Sequence, residues 1–375
     1  MIALGVFLVL LALHPLTTYP LSLLLWRQIK PAPPRRGPPT RPPISFLCCA
    51  HNEAAVIAEK AENSIRLIDG YSGSAEVLFF LDACDDGTAE ALAPYRNRIT
   101  IIESEESVGK SVGMSRLVEA STGEILVFTD ANTMVDPSAF EAFADEFSDP
   151  DVGCVCSHLS IINENASETA QVNGAYWRLE ELIKRLESAT GSTVSADGAL
   201  FAIRRGFYAP TPPAIIDDMH TSMSALLAGA RVIVSQTVQA EERTATRRDD
   251  EFRRKVRIAC RAFNCYRYLA GRLHRSGAEI NYKFYSHKVL RWLSLPIGAA
   301  GGACLLIGLL LNSQLALAAI LFVAGAGALG LGALGLKPFS ALFEVVLAHC
   351  AVTLGVIESL RGRVYQTWVP ATSGR

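Results

Sequence analysis

Three short segments of this chain end in carboxylates that could meet around one charged ligand. His51-Asn52-Glu53 closes one apolar run, Asp82 with Asp85-Asp86-Gly87-Thr88 closes a second, and Asp130-Ala131-Asn132 closes a third. Carboxylates brought to one edge repel one another unless cations or sugar hydroxyls receive them. Together they read as a binding site. Singly each has a plainer use: Asp86 suits a helix N-cap, and Asp136 precedes a helix-starting proline. No G-x-G-x-x-G follows the first run and no G-x-x-x-x-G-K-[ST] occurs, which disfavours a dinucleotide oxidoreductase and a P-loop NTPase. Gly109-Lys110-Ser111 ends like a phosphate loop but lacks its upstream glycine. What remains is a nucleotide site built from carboxylates and one lysine.

The elements that must position these groups follow from the hydrophobic pattern. Residues 44–50, 76–81, 99–103 and 124–129 are short apolar runs that predict strands, and 53–68, 86–95, 109–120 and 137–147 predict the helices between them. Near-continuous apolar strands alternating with amphipathic helices imply an α/β fold whose mostly parallel sheet is covered on both faces. Ligands of such sheets sit beyond the carboxyl ends of the strands, where the acidic segments fall.

Composition adds a membrane. Of 375 residues 50% are hydrophobic and 19% charged, and the mean hydropathy is +0.25. The charge is lower than a soluble chain usually carries, so some apolar surface faces something other than water. A disordered, collagen-like or small disulfide-stapled protein is excluded. The net charge of −2 gives no global attraction to nucleic acid, and none is expected as a partner. Nine cysteines without any C-x-x-C spacing predict free thiols in a reducing compartment. Residues 1–26 hold no Lys, Arg, Asp or Glu and predict a transmembrane signal-anchor helix. A basic, Pro-rich linker spans 27–43, with Arg27, Lys30, Arg35, Arg36 and Arg41 and no acid. By the positive-inside rule it places a domain over 44–286 in the cytosol. Residues 287–360 predict two or three C-terminal membrane helices, and 361–375 a tail. The last apolar run, 339–357, is interrupted by Glu344 and His349. A crossing there would put Arg361, Arg363 and Arg375 outside, so an interfacial or re-entrant helix competes with it.

At these residues the chain resembles the family 2 glycosyltransferases, membrane-tethered inverting enzymes of GT-A fold that include hyaluronan, chitin and cellulose synthase-like branches. Residues 44–53 resemble the family's opening strand with its "NE" pair. LDACDDGT (81–88) resembles its D-G-S-x-D-G-T segment, with Ala83 and Cys84 replacing Gly and Ser. Residues 108–113 resemble the loop whose lysine lies near the diphosphate, and FTDAN (128–132) stands in the place of the D-x-D metal motif. IIDDMHTSMSALLAG (215–229) resembles the T-E-D segment that carries the catalytic base. HKVLRWL (287–293) and Trp368-Val369-Pro370 are similar to family features at the membrane end.

The resemblance implies a nucleotide-sugar donor, most simply a UDP-sugar, and Mg2+ or Mn2+ held by Asp130 with Asn132. It implies Glu53 and Asp82 or Asp86 on base and ribose, and Lys110 at the phosphates. Asp218 would be the base that deprotonates the acceptor hydroxyl, with Asp217 as its alternative; a plainer use for either is capping the helix that follows. Adjacent carboxylates in a dry site can push one pKa toward a useful value. Arg254 or Arg257 would bind the donor diphosphate or a lipid phosphate, unless this basic cluster simply meets anionic headgroups. Tyr176 and Trp177 are expected in the core rather than under a sugar, and 191–198, with Asp197, along the acceptor path.

Two departures matter. Asn132 replaces a usual carboxylate with a neutral, weaker ligand. Arg254-Lys255-Val256-Arg257-Ile258 replaces the Q-x-x-R-W of processive branches, so polymer extension is not implied. The expected activity is transfer of a sugar to a saccharide or lipid acceptor at the cytoplasmic face of the cell membrane, for exopolysaccharide or glycolipid synthesis, with a synthase or export partner conceivable. Single transfer to a ceramide or polyprenyl phosphate, or a non-catalytic scaffold subunit, are the competing readings.

Overall fold

The computed structural model describes residues 1–33 and 37–366. Two helices, α1 (Ile2–Leu13) and α2 (Thr18–Ile29), precede the sheet. Its first half is β1 (Ile44–Ala50), α3 (Ile57–Gly70), β2 (Ala75–Asp82), α4 (Thr88–Leu92), β3 (Thr100–Ser104), α5 (Lys110–Ala120) and β4 (Ile125–Asp130). β1 pairs in parallel with β2 and β4, and β2 with β3, as the apolar runs require. The second half is β5 (Met134–Val135), α6 (Ala139–Glu146), β6 (Val152–Ile161), α7 (Glu168–Ala189), β7 (Leu200–Arg204), α8 (Asp217–Leu227) and β8 (Arg231–Glu242). Here the sheet is mixed, because β7 runs antiparallel to both β4 and β6. The strand order is β3-β2-β1-β4-β7-β6-β8-β5.

Side chains alternate along each strand, so one run of residues supplies two cores. Phe46, Phe79 and Val127 pack under α3 and α6 with Phe140 and Phe143. Leu47, Phe80 and Phe128 pack under α5 and α8 with Leu117 and Met223. The order reverses beside β1, which opens a crevice at the carboxyl ends of β1, β2 and β4.

After the sheet come α9 (Arg248–Leu273), α10 (Ala278–Phe284), α11 (Leu290–Leu311), α12 (Leu315–Ala333) and α13 (Phe339–Leu360). A π-helical turn over Tyr285–Val289 joins α10 to α11. Among the described residues three helical segments are long and apolar enough to cross a membrane: α10 and α11 together, α12, and α13. Glu344, which breaks the apolar run of α13, pairs with Arg248 at 2.6 Å. α13 lies lengthwise on α9, so closely that a Cβ on Gly355 would stand 2.5 Å from the Val256 carbonyl oxygen.

The single helix expected over 1–26 is instead two, bent by 58°. Pro15 has no N–H to continue the α1 ladder, and the chain leaves helical geometry at Thr17. Each piece has 12 residues, about 18 Å at 1.5 Å per residue, against a hydrocarbon core of about 30 Å. Only as one broken span does the pair meet the length test. α2 turns onto α7, where Tyr19 and Leu23 pack with Ile183 and Leu186 and the Tyr19 hydroxyl donates to Glu187 at 2.5 Å.

α1 packs on α11 through glycines. A Cβ on Gly301 would lie 2.9 Å from the Val9 backbone nitrogen, and one on Gly308 would lie 2.7 Å from Ile2. Gly301→Val is therefore expected to lose about 1–3 kcal/mol by overpacking, read as a lower melting temperature in detergent. An unchanged melt would deny the close approach.

Candidate active site

At the end of β1 and β2 the chain is tied into a cradle. Asn52 and Ala83 adopt left-handed backbone (φ 55 and 49), a conformation Asn tolerates through its short polar side chain. Asn52 and Asp85 pair reciprocally, the Asn52 amide donating at 2.7 Å and accepting the Asp85 N–H at 3.0 Å. Asp86 accepts from the Ala54 and Thr88 N–H groups at 3.0 and 3.1 Å, the cap-like role its position allowed. Burial opposes its charge, but those hydrogen bonds and the Thr88 hydroxyl outweigh it and hold the carboxyl below its ordinary range. Glu53 is 5% exposed, and its N–H donates to the Thr88 hydroxyl at 2.9 Å.

Asp82 is fully buried and spends both oxygens on the next loop, accepting from Val108 N, Gly109 N and Ser107 Oγ at 2.7, 3.0 and 3.0 Å. That clamp sets the start of α5, whose first residue is Lys110. The Lys110 ammonium stands 2.6 Å from Asp130 Oδ1 and 3.2 Å from Asp217 Oδ2. One lysine thus joins the end of β4 to the first turn of α8, where Asp217 and Asp218 begin the helix. From the loop before β7, Gly198 faces the same place, since a Cβ there would lie 3.2 Å from Asp218 Oδ2 and 3.5 Å from Lys110 Nζ.

The adjacent acids are driven apart. Burial opposes ionisation of Asp217, but Lys110 and Arg261 outweigh it, so its carboxyl stays below the ordinary range. Asp218 is pushed up to about 7, by burial and then by the charge of Asp217, with Lys110 only partly offsetting them. Neighbouring acids with separated pKa values are the usual arrangement of an acid–base site.

α9 supplies the positive wall. Arg254, Arg257 and Arg261 recur at helical spacing on one face. Arg261 donates to the Ile215 carbonyl at 2.7 Å and Ser111 Oγ at 3.1 Å, and lies 3.9 Å from Asp217. Arg254 pairs with Glu251 at 3.5 Å. Arg257 makes no hydrogen bond or ion pair with the described residues, and burial, then Arg254 and Arg261, push it down to about 10.

Asn132 donates to Glu242 at 3.2 Å. Burial raises the Glu242 carboxyl, although Arg254 works against it. Asp130, Asn132 and Glu242 offer oxygen atoms only, which suits a hard cation. No group of three or more His, Cys, Asp or Glu able to hold an ion occurs among the described residues.

Sequence reasoning did not single out Glu242, and treated Arg261 only as one member of a basic cluster. Asp197 is held by the buried Lys184. Tyr176, expected in the core, is 40% exposed, its ring flanked by Lys255 and Arg291 at 5.7 and 5.5 Å; Trp177 does pack against the core. In the HKVLRWL segment, His287 is fully buried between Glu180 and Glu187 at 3.0 and 2.8 Å. Trp368-Val369-Pro370, with Arg35, Arg36 and Arg375, lie outside the described residues.

Comparison with known proteins bears on the family and the fold. The family model described as "Glycosyltransferase like family 2" matches residues 42–260. Poly-beta-1,6-N-acetyl-D-glucosamine synthase of Staphylococcus aureus (strain COL) is 24% identical over 165 residues, 43% of this chain and 39% of that protein. The chain therefore spans well under half the length of this curated relative. Among solved structures, mannosyltransferase PcManGT from Pyrobaculum calidifontis, in complex with GDP-Man and Mn2+, aligns with a TM-score of 0.71 and 22% identity over 96% of this chain and 99% of that one. Mannosyl-3-phosphoglycerate synthase from Rubrobacter xylanophilus aligns at 0.43 and 16%, over 67% and 85%. The first of these likenesses establishes a shared fold, the GT-A fold, over nearly the whole chain.

Proposed function

The chain belongs to the glycosyltransferase family 2-like proteins, and from that premise we propose that it inverts a sugar carbon in one displacement, taking the sugar from a nucleotide diphosphate to an acceptor hydroxyl. It is a glycosyltransferase; the donor, the acceptor and the step below are our reading. The observation that carries it is the Asp217–Asp218 pair, joined through Lys110 to Asp130.

Asp218, poised near neutrality, takes the proton of the acceptor hydroxyl as that oxygen attacks C1. The bond from C1 to the diphosphate breaks, and the nucleoside diphosphate leaves with the electron pair. Asp217 stays ionised and keeps Lys110 in place. Lys110 and Arg257, with Arg254 and Arg261 beside them, receive the growing negative charge of the leaving group. Glu53 and the 82–88 cradle border the nucleoside, with Asp82 acting chiefly through the 107–109 loop. Asp130 and Asn132, with Glu242, would hold a divalent cation, Mg2+ or Mn2+, which when bound neutralises phosphate charge. The Mn2+ in the complex of the mannosyltransferase relative supports that reading. We take the donor to be a UDP-sugar, with a GDP-sugar as its rival because that relative was solved with GDP-Man. We read the acceptor as a saccharide or a lipid and the reaction as taking place at a membrane, which the apolar helices support, and on its cytoplasmic face, which the charge of the 27–43 linker supports.

The test is turnover of a panel of UDP- and GDP-sugars by purified protein with Mg2+ or Mn2+, in native lipid extract. Arg257→Ala is expected to raise the donor KM by about 10- to 100-fold, the worth of a charge-assisted hydrogen bond, and to leave the melting temperature unchanged. A panel without turnover would sink the donor assignment, and an unchanged KM would remove Arg257 from it.

A further inference from the structure

The buried face of α3 is not apolar throughout. It carries Lys60, Asn63 and Ser64, none more than 5% exposed. The Lys60 ammonium is completely buried, 5.0 Å from the centre of the Phe46 ring. It donates to Thr129 Oγ1 at 2.9 Å and to the Thr133 carbonyl at 2.6 Å. Those two residues bracket Asp130-Ala131-Asn132, a turn whose own bonds are long, from Thr133 N to the Asp130 carbonyl at 3.4 Å and from Thr129 Oγ1 to the same carbonyl at 3.2 Å. Asn63, one turn further along α3, makes a second pair of bonds beyond the turn, donating to the Val135 carbonyl at 2.7 Å and accepting the Val135 N–H at 3.0 Å.

A lysine in such a place is costly. Among the described residues no carboxylate touches it, and burial pushes it down to about 8. Methionine would fill the same volume without burying a polar head. The local return for that cost is the pair of bonds across the 130–132 turn.

We propose that Lys60 is a positioning residue for the donor site, acting through Thr129 and Thr133 to hold Asp130 and Asn132 in the geometry from which their oxygens meet a cation shared with the donor diphosphate. It touches neither donor nor cation. The proposal rests on the reading of 130–132 as the cation-holding turn.

Two variants separate positioning from general loosening. Lys60→Met and Asn63→Leu each remove two hydrogen bonds from α3 to the same stretch of chain, but only the first acts on the turn itself. Both are expected to melt lower than the wild type by similar amounts. Mn2+ binding is followed by electron paramagnetic resonance on the purified full chain with UDP or GDP present. Lys60→Met is expected to weaken it by about tenfold or more, and Asn63→Leu by less than twofold. In turnover, Lys60→Met is expected to raise the Mn2+ requirement and the donor KM together, with kcat at saturation within threefold of wild type. Should Lys60→Met fail to fold, Thr129→Val removes one of the two Lys60 bonds, together with the 3.2 Å bond from Thr129 Oγ1 to the Asp130 carbonyl, with little change of shape, and is expected to weaken Mn2+ binding by a smaller factor.

Wild-type binding that Lys60→Met and Thr129→Val both retain overturns the proposal alone, as does equal weakening in Asn63→Leu. Absence of Mn2+ binding by the wild type overturns the reading of the 130–132 turn, and this proposal with it.

Discussion

Asp218→Asn is expected to lower kcat by about 10²- to 10⁴-fold, the usual worth of a general base, with the donor KM within threefold. The variant keeps the shape of the side chain and loses only its ability to take a proton. In the wild type, a base at about 7 must be deprotonated to act. kcat/KM should then fall tenfold for each pH unit below that value and flatten above it.

Stability moves the other way. The folded carboxyl lies above its ordinary 3.8. Its contribution to stability is therefore complete below about pH 4 and is lost progressively as pH rises through about 7. Asparagine is neutral throughout, so the variant should gain on the wild type across that window, and the gain should level off above it. Thermal melts at pH 5 and pH 8 measure this. A variant that keeps activity within tenfold would transfer the role to Asp217.

Lys110→Met is expected to be the most damaging of these changes to folding, and to cost turnover as well. It strands Asp217, only 5% exposed, with Arg261 at 3.9 Å as its remaining cation. Breaking a buried ion pair costs about 3–5 kcal/mol. The lower end applies, because the Asp130 side chain is 34% exposed and water screens that half of the interaction. If Lys110 meets the donor diphosphate as proposed, activity should fall by about 10²-fold or more. Mn2+ with nucleoside diphosphate should raise the melting temperature of the variant by more than that of the wild type, since a cation then returns to the carboxylates. Equal melting of the two proteins without added metal would show that Lys110 carries no structural charge.

The parallel half of the sheet was legible because each of its strands is one apolar run ending in polar residues. β1 needs no partner to announce itself: all seven of its residues are buried, and Asn52 and Glu53 follow at once. β6, β7 and β8 were not read as strands, since their antiparallel neighbours come from far along the chain and no local repeat marks them. Glu242 shows the cost of that. It ends β8 among other charges and reaches Asn132 only through the pairing of the sheet. Lys60 was hidden for the opposite reason, because a lysine on an amphipathic helix reads as solvated until the helix is rotated onto its neighbour. The Asp217-Asp218 doublet was visible as a doublet; which acid is held ionised depends on Lys110 and Arg261, from two other helices. Residues 1–26 are apolar enough for one span, and the His14-Pro15 step that breaks them was passed over.

The docking of α1 on α11 also has a schedule. His14 and Ser286, whose side chains meet at 3.1 Å, are 272 positions apart. At about 5–20 residues per second, a ribosome needs on the order of tens of seconds to supply the second after the first. For that interval the side of α1 that meets the α11 glycines has no mate from its own chain, while the whole sheet is being made. Permuting the gene so that residues 290–360 are translated ahead of residue 1 would turn this late union into a neighbouring one.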